Sequence, residues 1–465
     1  MATEANGTEQ LGVGAAPERA MATSRALWWL LAAIAGVKIV LLFIALPLFQ
    51  RASPADYQIG LFPDRYDAIA LNVLEGRGYR LYEDTSETML RTPGFVLILA
   101  GIFAVTGKSL VAVQAFQLAL SLVAGWALYR LTLRATASQK AAIVATAIFL
   151  LYPGTILAES RGGVETTYTA CAVLFLFLFY KAIETFAYGD FVLAGVAFGL
   201  AFLIRSTLAL ALPGLFIYMA FFRRQPGPAF WRLVALFAAA SLAALVVVSP
   251  WIIRNYRISG DVVPTMNIGS LSAFQALWVE KHRGEGKPHW QLLSDVVPEQ
   301  TRIAREMGLR VRSGFFPAFY SVQDENRYYN ELARRVRMEL MASPSLALGF
   351  VAHNFLGFWI QGRTPKATAA NAILIVPFLM VALAGAIMSV GRKLDVMPVV
   401  VFVVAFLLPH LPIHGVARFH TPLVPFLAIF VAVGLVSLWD QLTATRRDAG
   451  ARDCPVWTYL GGFKR

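Results

Sequence analysis

The stretch ALWWLLAAIAGVKIVLLFIALPLF, residues 26–49, is almost entirely apolar over about 24 residues. A helix that crosses a bilayer needs about 20 such residues, whereas the apolar core of a cleavable signal peptide has about 7–15. The length of the stretch therefore predicts a first transmembrane helix that is retained in the protein.

Similar apolar runs recur along most of the chain. Of its 465 residues, 57% are hydrophobic and only 15% are charged, and the mean hydropathy is +0.60. Soluble domains average about 25% charged residues, so this composition excludes a soluble globular protein. We predict an all-α, polytopic bundle of about 10–13 transmembrane helices. Besides residues 26–49, the best spans are 109–129, 140–157, 164–186, 190–205, 207–222, 232–253, 372–391, 396–411 and 417–440.

The formal charge of +13 is concentrated between these runs. Short loops rich in Lys and Arg mark the cytoplasmic face of a membrane protein, so the charge indicates topology and not nucleic-acid binding. Ten spans place both termini in the cytoplasm of a multi-pass inner-membrane protein, with residues 1–25 and 441–465 as tails. The transmembrane domain is then 26–440, and its long loops 50–91 and 254–345 are external. The shorter runs 94–106 and 346–360 are interpreted as juxtamembrane or re-entrant elements.

The first external loop contains the sequence FPDRYDAIALNVLEGRGYRLYEDTSETMLRTPG, residues 62–94. Its apolar side chains recur at helical spacing, which predicts a short amphipathic helix at the membrane surface, ended by Gly76 and Gly78. In the second loop, residues 324–341 show the same periodicity up to Pro344. That loop has few apolar runs, so we expect a cap over the membrane region and not a stable domain.

Asp64 stands at the start of the helix predicted in the first loop. A carboxylate at this place can cap a helix and interact favourably with its dipole. From the residues alone, capping is the simpler interpretation of Asp64.

Several motifs, in this order and spacing, resemble the GT-C superfamily of glycosyltransferases. The branch is that of the protein O-mannosyltransferases and the aminoarabinose transferase of lipid A. In the first loop the pattern is D-x-Y, an apolar helix, G-x-G-Y and R-x-P-G. The others are GGVETTY (162–168), GLAFLIR (199–205), SPWIIRNYRISGDVVPTMNIG (249–269), residues 331–359 and ARFHTPLVPFLAIFVAVGL (417–435).

The resemblance implies an enzyme that transfers a sugar from a polyprenyl-phosphate donor to an acceptor hydroxyl at the external, periplasmic face, with inversion. It implies that Asp64 is the general base. Asp67 is the alternative candidate, because it lies one helical turn further on and is expected to point to the same side. Glu165 matches the second acidic position and would orient or activate the acceptor. Its alternative interpretation is a helix cap, because it lies near the start of a span.

The leaving phosphate requires cations, and an Arg fork suits phosphate oxygens. The resemblance places Arg91, before Thr92 and Pro93, at a basic position of the family. Arg205 and Arg418 lie at the ends of apolar runs and are expected to converge with it, although interfacial arginines often only snorkel. Other candidate substrate-binding residues are Tyr66, Asp67, Arg254 and His420.

No cofactor is certain from the sequence. His410 and His414 have an i,i+4 spacing that can bind a metal on a helix, but Pro412 lies between them. The spacing leaves a divalent metal as an option, and Pro412 argues against it.

Two other classes of function stay open. A transporter or lipid flippase would line a path with intramembrane charges, and a scaffold would leave Asp64 and Glu165 dispensable. The sequence also departs from its relatives: Arg65 follows Asp64 where protein mannosyltransferases have adjacent acidic residues, and Arg91-Thr92-Pro93 stands where aminoarabinose transferases have Lys-Pro. The donor sugar and the acceptor, whether glycan, lipid or protein, are therefore not set by the resemblance.

Overall fold

The computed structural model describes residues 25–52, 64–223, 227–413 and 415–452. The predicted N-terminal tail, the end of the C-terminal tail and His414 lie outside these ranges. The described part is helical apart from one two-residue β-hairpin, which confirms the predicted all-α class.

The first half of the chain forms the helices that carry most of the predicted motifs. A π-helical turn, Leu41–Ala45, joins the first two helices into one span. In chain order these helices are α1 Arg25–Val40, α2 Leu46–Ala52, α3 Tyr66–Leu74, α4 Pro93–Thr106, α5 Leu110–Thr136, α6 Gln139–Leu151, α7 Pro153–Ser160, α8 Val164–Thr185, α9 Tyr188–Ile204 and α10 Ala211–Ile217.

The second half contains the long second loop and the last membrane helices. Short 3₁₀ segments, Leu408–His410 and Ala417–Leu423, flank the turn before the last helix. The elements are α11 Phe230–Ser259, α12 Ile268–His282, α13 His289–Glu306, β1 Val311–Arg312, β2 Ala318–Phe319, α14 Val322–Ala342, α15 Pro344–Ile360, α16 Pro365–Gly391, α17 Met397–Leu407 and α18 Val424–Arg452.

Six of the described helices are long and apolar enough to cross a membrane, or eight if each of two bent pairs is one span. The expected spans 190–205, 207–222 and 396–411 are apolar helices shorter than 18 residues, so the ten-span count is not reproduced. Two bends follow from proline. Pro153 begins α7 at an angle of 43° to α6, and Pro344 begins α15 at 116° to α14.

The amphipathic helix of the first loop is confirmed. It is α3, and Gly76 and Gly78 follow it with φ of +72° and +87°, a conformation that glycine adopts without strain. The helix of the second loop is also confirmed, as α14, which ends before Pro344.

The second loop is largely helical although it has few apolar runs. Its helices α12, α13 and α14 pack around a shared core that includes Leu271, Phe274, Val296, Ile303 and Leu332, all buried. Aromatic side chains extend this core, with the rings of Phe319, Tyr328 and Tyr329 in mutual contact. Each aromatic ring buries a large apolar area, and these rings are scattered along the sequence instead of forming runs.

Two membrane helices form the centre of the bundle. The most apolar windows of Val164–Thr185 and Ala417–Ala444 are 72% and 78% buried, compared with 22% for Pro365–Gly391. Glu165 lies in the first turn of one central segment and Arg418 at the start of the other. The packing of the bundle thus brings these two charged residues to a common end.

Candidate active site

Asp64 forms the closest ion pair of the site. The Arg418 guanidinium donates two hydrogen bonds to the Asp64 carboxylate, Nη1 to Oδ2 at 3.1 Å and Nη2 to Oδ1 at 2.7 Å. Arg91 Nη2 lies 3.7 Å from Oδ1, and Arg91 Nε donates to the Asp64 backbone carbonyl at 3.1 Å. Two residues distant in sequence, one from each end of the domain, therefore meet at the same carboxylate.

The carboxylate of Asp64 does not cap α3. The N-cap residue is Arg65, in a left-handed conformation with φ of 61°, and the helix start receives no side-chain capping hydrogen bond. Burial by itself raises the pKa of Asp64, but Arg418, followed by Arg91 and Arg205, outweighs it and holds that pKa below its ordinary value. Asp64 is therefore a buried, ionised carboxylate that faces arginines.

Asp67 has a different partner from Asp64. Its Oδ2 lies 2.8 Å from Lys108 Nζ, and it lines a polar cavity of about 750 Å³ together with Arg65 and Arg312. The expected common orientation of the two carboxylates does not hold, because Asp64 precedes the helix and the left-handed Arg65 turns the backbone between them.

Glu165 is the second carboxylate of the site. Its Oε1 lies 3.8 Å from Arg418 Nη1 and 4.0 Å from Arg205 Nη1. A Cβ atom on Gly163 would stand only 2.6 Å from Glu165 Oε2, so the carboxylate occupies the space that this glycine leaves free. Arg418 thus bridges Asp64 and Glu165. Arg205 and Arg418 both lie beside Glu165, so the two arginines converge as expected.

Arg91 is held by packing as well as by charge. Its guanidinium carbon lies 5.2 Å from the centre of the Tyr66 ring and 4.4 Å from that of Phe316. Next to it, Thr92 Oγ1 donates to the Ile204 carbonyl at 2.6 Å. This contact brings the first loop against the end of α9, beside Arg205, and it explains how the two arginines come together.

Several polar atoms of this cluster are buried without a hydrogen bond. They are Arg91 Nη2, Arg205 Nη1, Glu165 Oε1 and Arg161 Nε. Buried donors normally have partners, so a group of free ones facing the same carboxylates is typical of a site that binds a polar ligand. Arg161 was missed from the sequence; it interacts electrostatically with Arg418 and Glu165, and the available signal was its position directly before Gly162-Gly163 and Glu165.

Besides Asp67, two further predicted substrate-binding residues lie outside the cluster. Arg254 donates to the Thr88 carbonyl at 2.9 Å and to Glu87 Oε2 at 3.2 Å, so it joins the first and second loops. His420 is buried, with Nε2 at 2.8 Å from the Tyr152 hydroxyl and Nδ1 at 3.3 Å from the Phe358 carbonyl. Both of its ring nitrogens therefore have protein partners.

Of the two histidines considered as a metal pair, His414 lies outside the described residues. Among the residues that are described, no group of three or more His, Cys, Asp or Glu side chains could hold a metal ion. His410 is buried and its Nδ1 lies 2.8 Å from the Phe406 carbonyl.

A second buried charge pair lies deeper in the bundle. Lys38 Nζ donates to Glu159 Oε1 at 2.6 Å and to Ser121 Oγ at 3.1 Å, and both charged side chains are fully buried. The sequence interpretation missed it, although a lysine inside the apolar run 26–49 was the signal. Gln117 donates to the Gly163 carbonyl at 2.6 Å nearby, so α5 supports the turn that presents Glu165.

The solved structures that the chain resembles include two crystal structures of ArnT from Cupriavidus metallidurans. The structure bound to undecaprenyl phosphate is 14% identical, with 89% of this chain and 78% of that chain covered and a TM-score of 0.42. The apo structure is 16% identical, with 86% and 78% covered and a TM-score of 0.40. None of the curated proteins matches the chain.

Residues 90–253 match the family model described as dolichyl-phosphate-mannose-protein mannosyltransferase. The matched segment includes Arg91, Glu165 and Arg205, whereas Asp64 and Arg418 lie outside it. The resemblance inferred from the motifs is thereby confirmed over this segment. The match covers less than half of the chain, and over that segment the chain is similar to the dolichyl-phosphate-mannose-protein mannosyltransferase family.

Proposed function

We propose that the chain transfers a sugar, with inversion, from a polyprenyl-phosphate donor to an acceptor hydroxyl, and that the cluster around Asp64 is its active site. The observation that carries this proposal is the surplus of cations around two carboxylates. Arg91, Arg161, Arg205 and Arg418 surround Asp64 and Glu165, and three of the four arginines have a buried nitrogen without a hydrogen bond.

The surplus charge suits the product of such a reaction better than its substrate. A phosphodiester in the donor carries one negative charge, and the phosphate monoester that leaves carries about 1.5 to 2 at neutral pH. Preformed cations that meet a growing negative charge stabilise the transition state more than the ground state. Four arginines against two carboxylates supply two positive charges for this purpose.

The reaction at this site is a single displacement. The acceptor oxygen attacks the anomeric carbon while Asp64 takes the hydroxyl proton, and the bond between that carbon and the phosphate oxygen breaks with its electron pair going to the phosphate. Glu165 is close enough to share Arg418 with Asp64, so it is placed to orient the acceptor. Attack opposite the leaving phosphate inverts the anomeric centre.

The ion pair with Arg418 makes Asp64 a weak base in the ligand-free protein, because it holds the pKa of the carboxyl low. A phosphate bound to Arg418 and Arg91 competes with Asp64 for both guanidiniums. The carboxylate then loses part of its cationic neighbourhood, and its proton affinity rises where the acceptor arrives. In this proposal the donor itself activates the base.

An apolar cavity lined by residues close in sequence to Arg205 suits the lipid part of the donor. It has a volume of about 520 Å³ and is lined by residues of α9, α10 and α11, among them Phe202, Leu212 and Phe237. Ala209, at its wall, lies four residues after Arg205. A chain seated there would place its phosphate near the arginines.

We propose that the active site lies on the external face of the membrane and that both termini are cytoplasmic. Ser313 is exposed, between β1 and β2, and is a suitable position for a single cysteine in a variant without Cys171 and Cys454. We expect an impermeant thiol reagent to label Ser313→Cys in intact cells. Protection there, with labelling only after permeabilisation, would place the cluster on the cytoplasmic side.

The experiment that tests the transfer is a profile of lipid-linked sugars in cells with and without the protein. We expect a polyprenyl-phosphate sugar to accumulate in cells that lack it, and the same lipid to accumulate in cells that carry only Asp64→Asn. An unchanged profile in both would refute the proposal. Sealed vesicles test the transporter hypothesis, because a transporter or flippase moves label across the bilayer without forming a glycosidic bond.

A further inference from the structure

The second external loop contacts the first along one continuous segment, residues 84–89. Arg312 donates to Asp84 Oδ1 at 2.6 Å, and the Phe319 carbonyl accepts from the Ser86 backbone at 2.9 Å. Arg254 donates to the Thr88 carbonyl at 2.9 Å. These contacts join parts of the chain that are more than 160 residues apart, and they stop two residues before Arg91.

Glu325 makes the last of these contacts. It lies in the first turn of α14, is only 2% exposed, and its Oε1 accepts hydrogen bonds from the Met89 backbone N–H at 2.9 Å and from Asn267 Nδ2 at 3.0 Å. The Asn267 backbone N–H in turn donates to the Met89 carbonyl at 3.1 Å. Both backbone groups of Met89 are therefore fixed by the second loop.

Arg91 also touches the second loop directly. Its guanidinium lies against the Phe316 ring, in the turn between β1 and β2, and its backbone carbonyl accepts from the Tyr79 hydroxyl at 3.1 Å. The direction of the Arg91 side chain thus depends on where the backbone at Met89 is held.

We propose that Glu325 is a positioning residue for Arg91: by holding Met89 it fixes the arginine that receives the donor phosphate. The inference rests on the proposed function only in assigning phosphate to Arg91. A buried carboxylate on a helix also contributes to stability. The test therefore measures the affinity of the folded protein for the phosphate ligand instead of its stability.

Two conservative variants separate geometry from charge. Glu325→Gln keeps the length and an acceptor oxygen for Met89, and Glu325→Asp keeps the charge but withdraws it by one methylene. We expect Glu325→Asp to weaken binding of undecaprenyl phosphate to the purified full-length protein in lipid nanodiscs by about threefold or more, and Glu325→Gln by less than about twofold. The reverse order would show an electrostatic role and overturn the inference.

The control is Glu331→Ala on the same helix. Glu331 pairs with Arg334 and Arg335 within α14, so its loss should leave undecaprenyl phosphate affinity unchanged. A loss equal to that of Glu325→Asp would mean that α14 only supports the fold.

The affinity for undecaprenyl phosphate, measured in an Arg91→Ala background, shows whether Glu325 acts through Arg91. Arg91→Ala alone should weaken binding of undecaprenyl phosphate about 10- to 100-fold, the range for a lost charged hydrogen bond. If Glu325 acts through Arg91, adding Glu325→Asp to Arg91→Ala weakens the binding of undecaprenyl phosphate no further. Additive losses overturn the positioning role, whereas an Arg91→Ala protein with wild-type affinity overturns the phosphate site itself.

Discussion

The two buried charge clusters of this protein differ in their balance. Lys38 and Glu159 form a pair of one cation and one anion, both fully buried between helices. Around Asp64 and Glu165 there are four arginines, and the side chain of Arg418 is 32% exposed. One cluster is neutral and closed, and the other is cationic and open on one side.

This difference separates a structural pair from a binding site more clearly than burial or hydrogen bonding does. Each cluster contains a carboxylate oxygen without a hydrogen bond, Glu159 Oε2 in one and Glu165 Oε1 in the other. A balanced pair needs nothing further to neutralise it, whereas a surplus of buried cations is costly until an anion arrives. The following variants test whether charge balance distinguishes the two clusters.

The largest effect is expected for Asp64→Asn. The amide keeps the shape of the side chain but cannot take the acceptor's proton, and loss of a general base costs about 10²- to 10⁴-fold in rate. We expect the variant to insert normally, to bind the polyprenyl-phosphate donor and to be nearly inactive in sugar transfer.

A purely structural role for Asp64 predicts the opposite pattern for the same variant. Loss of the charge opposite Arg418 would then lower the stability of the protein and leave the chemistry intact. Turnover above about a tenth of the wild-type value, with a lowered unfolding temperature, would therefore favour a structural role for Asp64.

Lys38→Met should act on stability instead of chemistry. Removing one partner of a buried ion pair leaves an uncompensated charge and costs about 3–5 kcal/mol, whereas replacing both partners by apolar residues is often neutral. Thermal unfolding of the purified protein should show a large loss for Lys38→Met and recovery for Lys38→Met combined with Glu159→Leu.

The outcome that breaks the comparison is a stable Lys38→Met protein without transferase activity. The neutral pair would then belong to the reaction, and charge balance would not distinguish the two clusters.

Arg91 should show a graded effect on donor use. Arg91→Ala removes the charge and the fork, and we expect a loss of about 1.5–3 kcal/mol in donor binding. Arg91→Lys cannot both donate to the Asp64 carbonyl and lie flat against Phe316, so it should also weaken donor binding. Because lysine keeps the positive charge, this loss should be smaller than that of Arg91→Ala. Steady-state kinetics with varied donor give both values, and wild-type donor use by both variants would remove Arg91 from the site.

The sequence predicted what depends on local pattern. The periodicity of residues 66–74 and 324–341 and the stop at Pro344 were enough for α3 and α14. It also nominated Asp64, Glu165, Arg91, Arg205 and Arg418, which the structure brings together, but that nomination came from motif order and not from periodicity.

What the sequence missed depends on contacts between distant segments. Whether Arg254 reaches the cluster or the Thr88 carbonyl is decided by the packing of one loop on the other. The partners of Lys38 and Glu325 lie 121 and 236 residues away, so no local spacing reveals them. Three expected spans, 190–205, 207–222 and 396–411, form apolar helices shorter than the roughly 20 residues that usually cross a bilayer, and the length of an apolar run alone does not show how such a helix is accommodated.

The smallest effect is expected for Asp67→Asn, which repeats the Asp64 substitution three residues further along. Asp67 pairs with Lys108, whose side chain is 50% exposed, and an ion pair that water reaches contributes about 0–1 kcal/mol. We therefore expect unfolding temperature and turnover close to wild type, with at most about a fivefold change in rate. The two Asp→Asn variants differ in position but not in chemistry, so the contrast isolates the surrounding charges. An inactive Asp67→Asn beside an active Asp64→Asn would move the general base to the wall of the polar cavity, where Lys108 and not a set of arginines accompanies it.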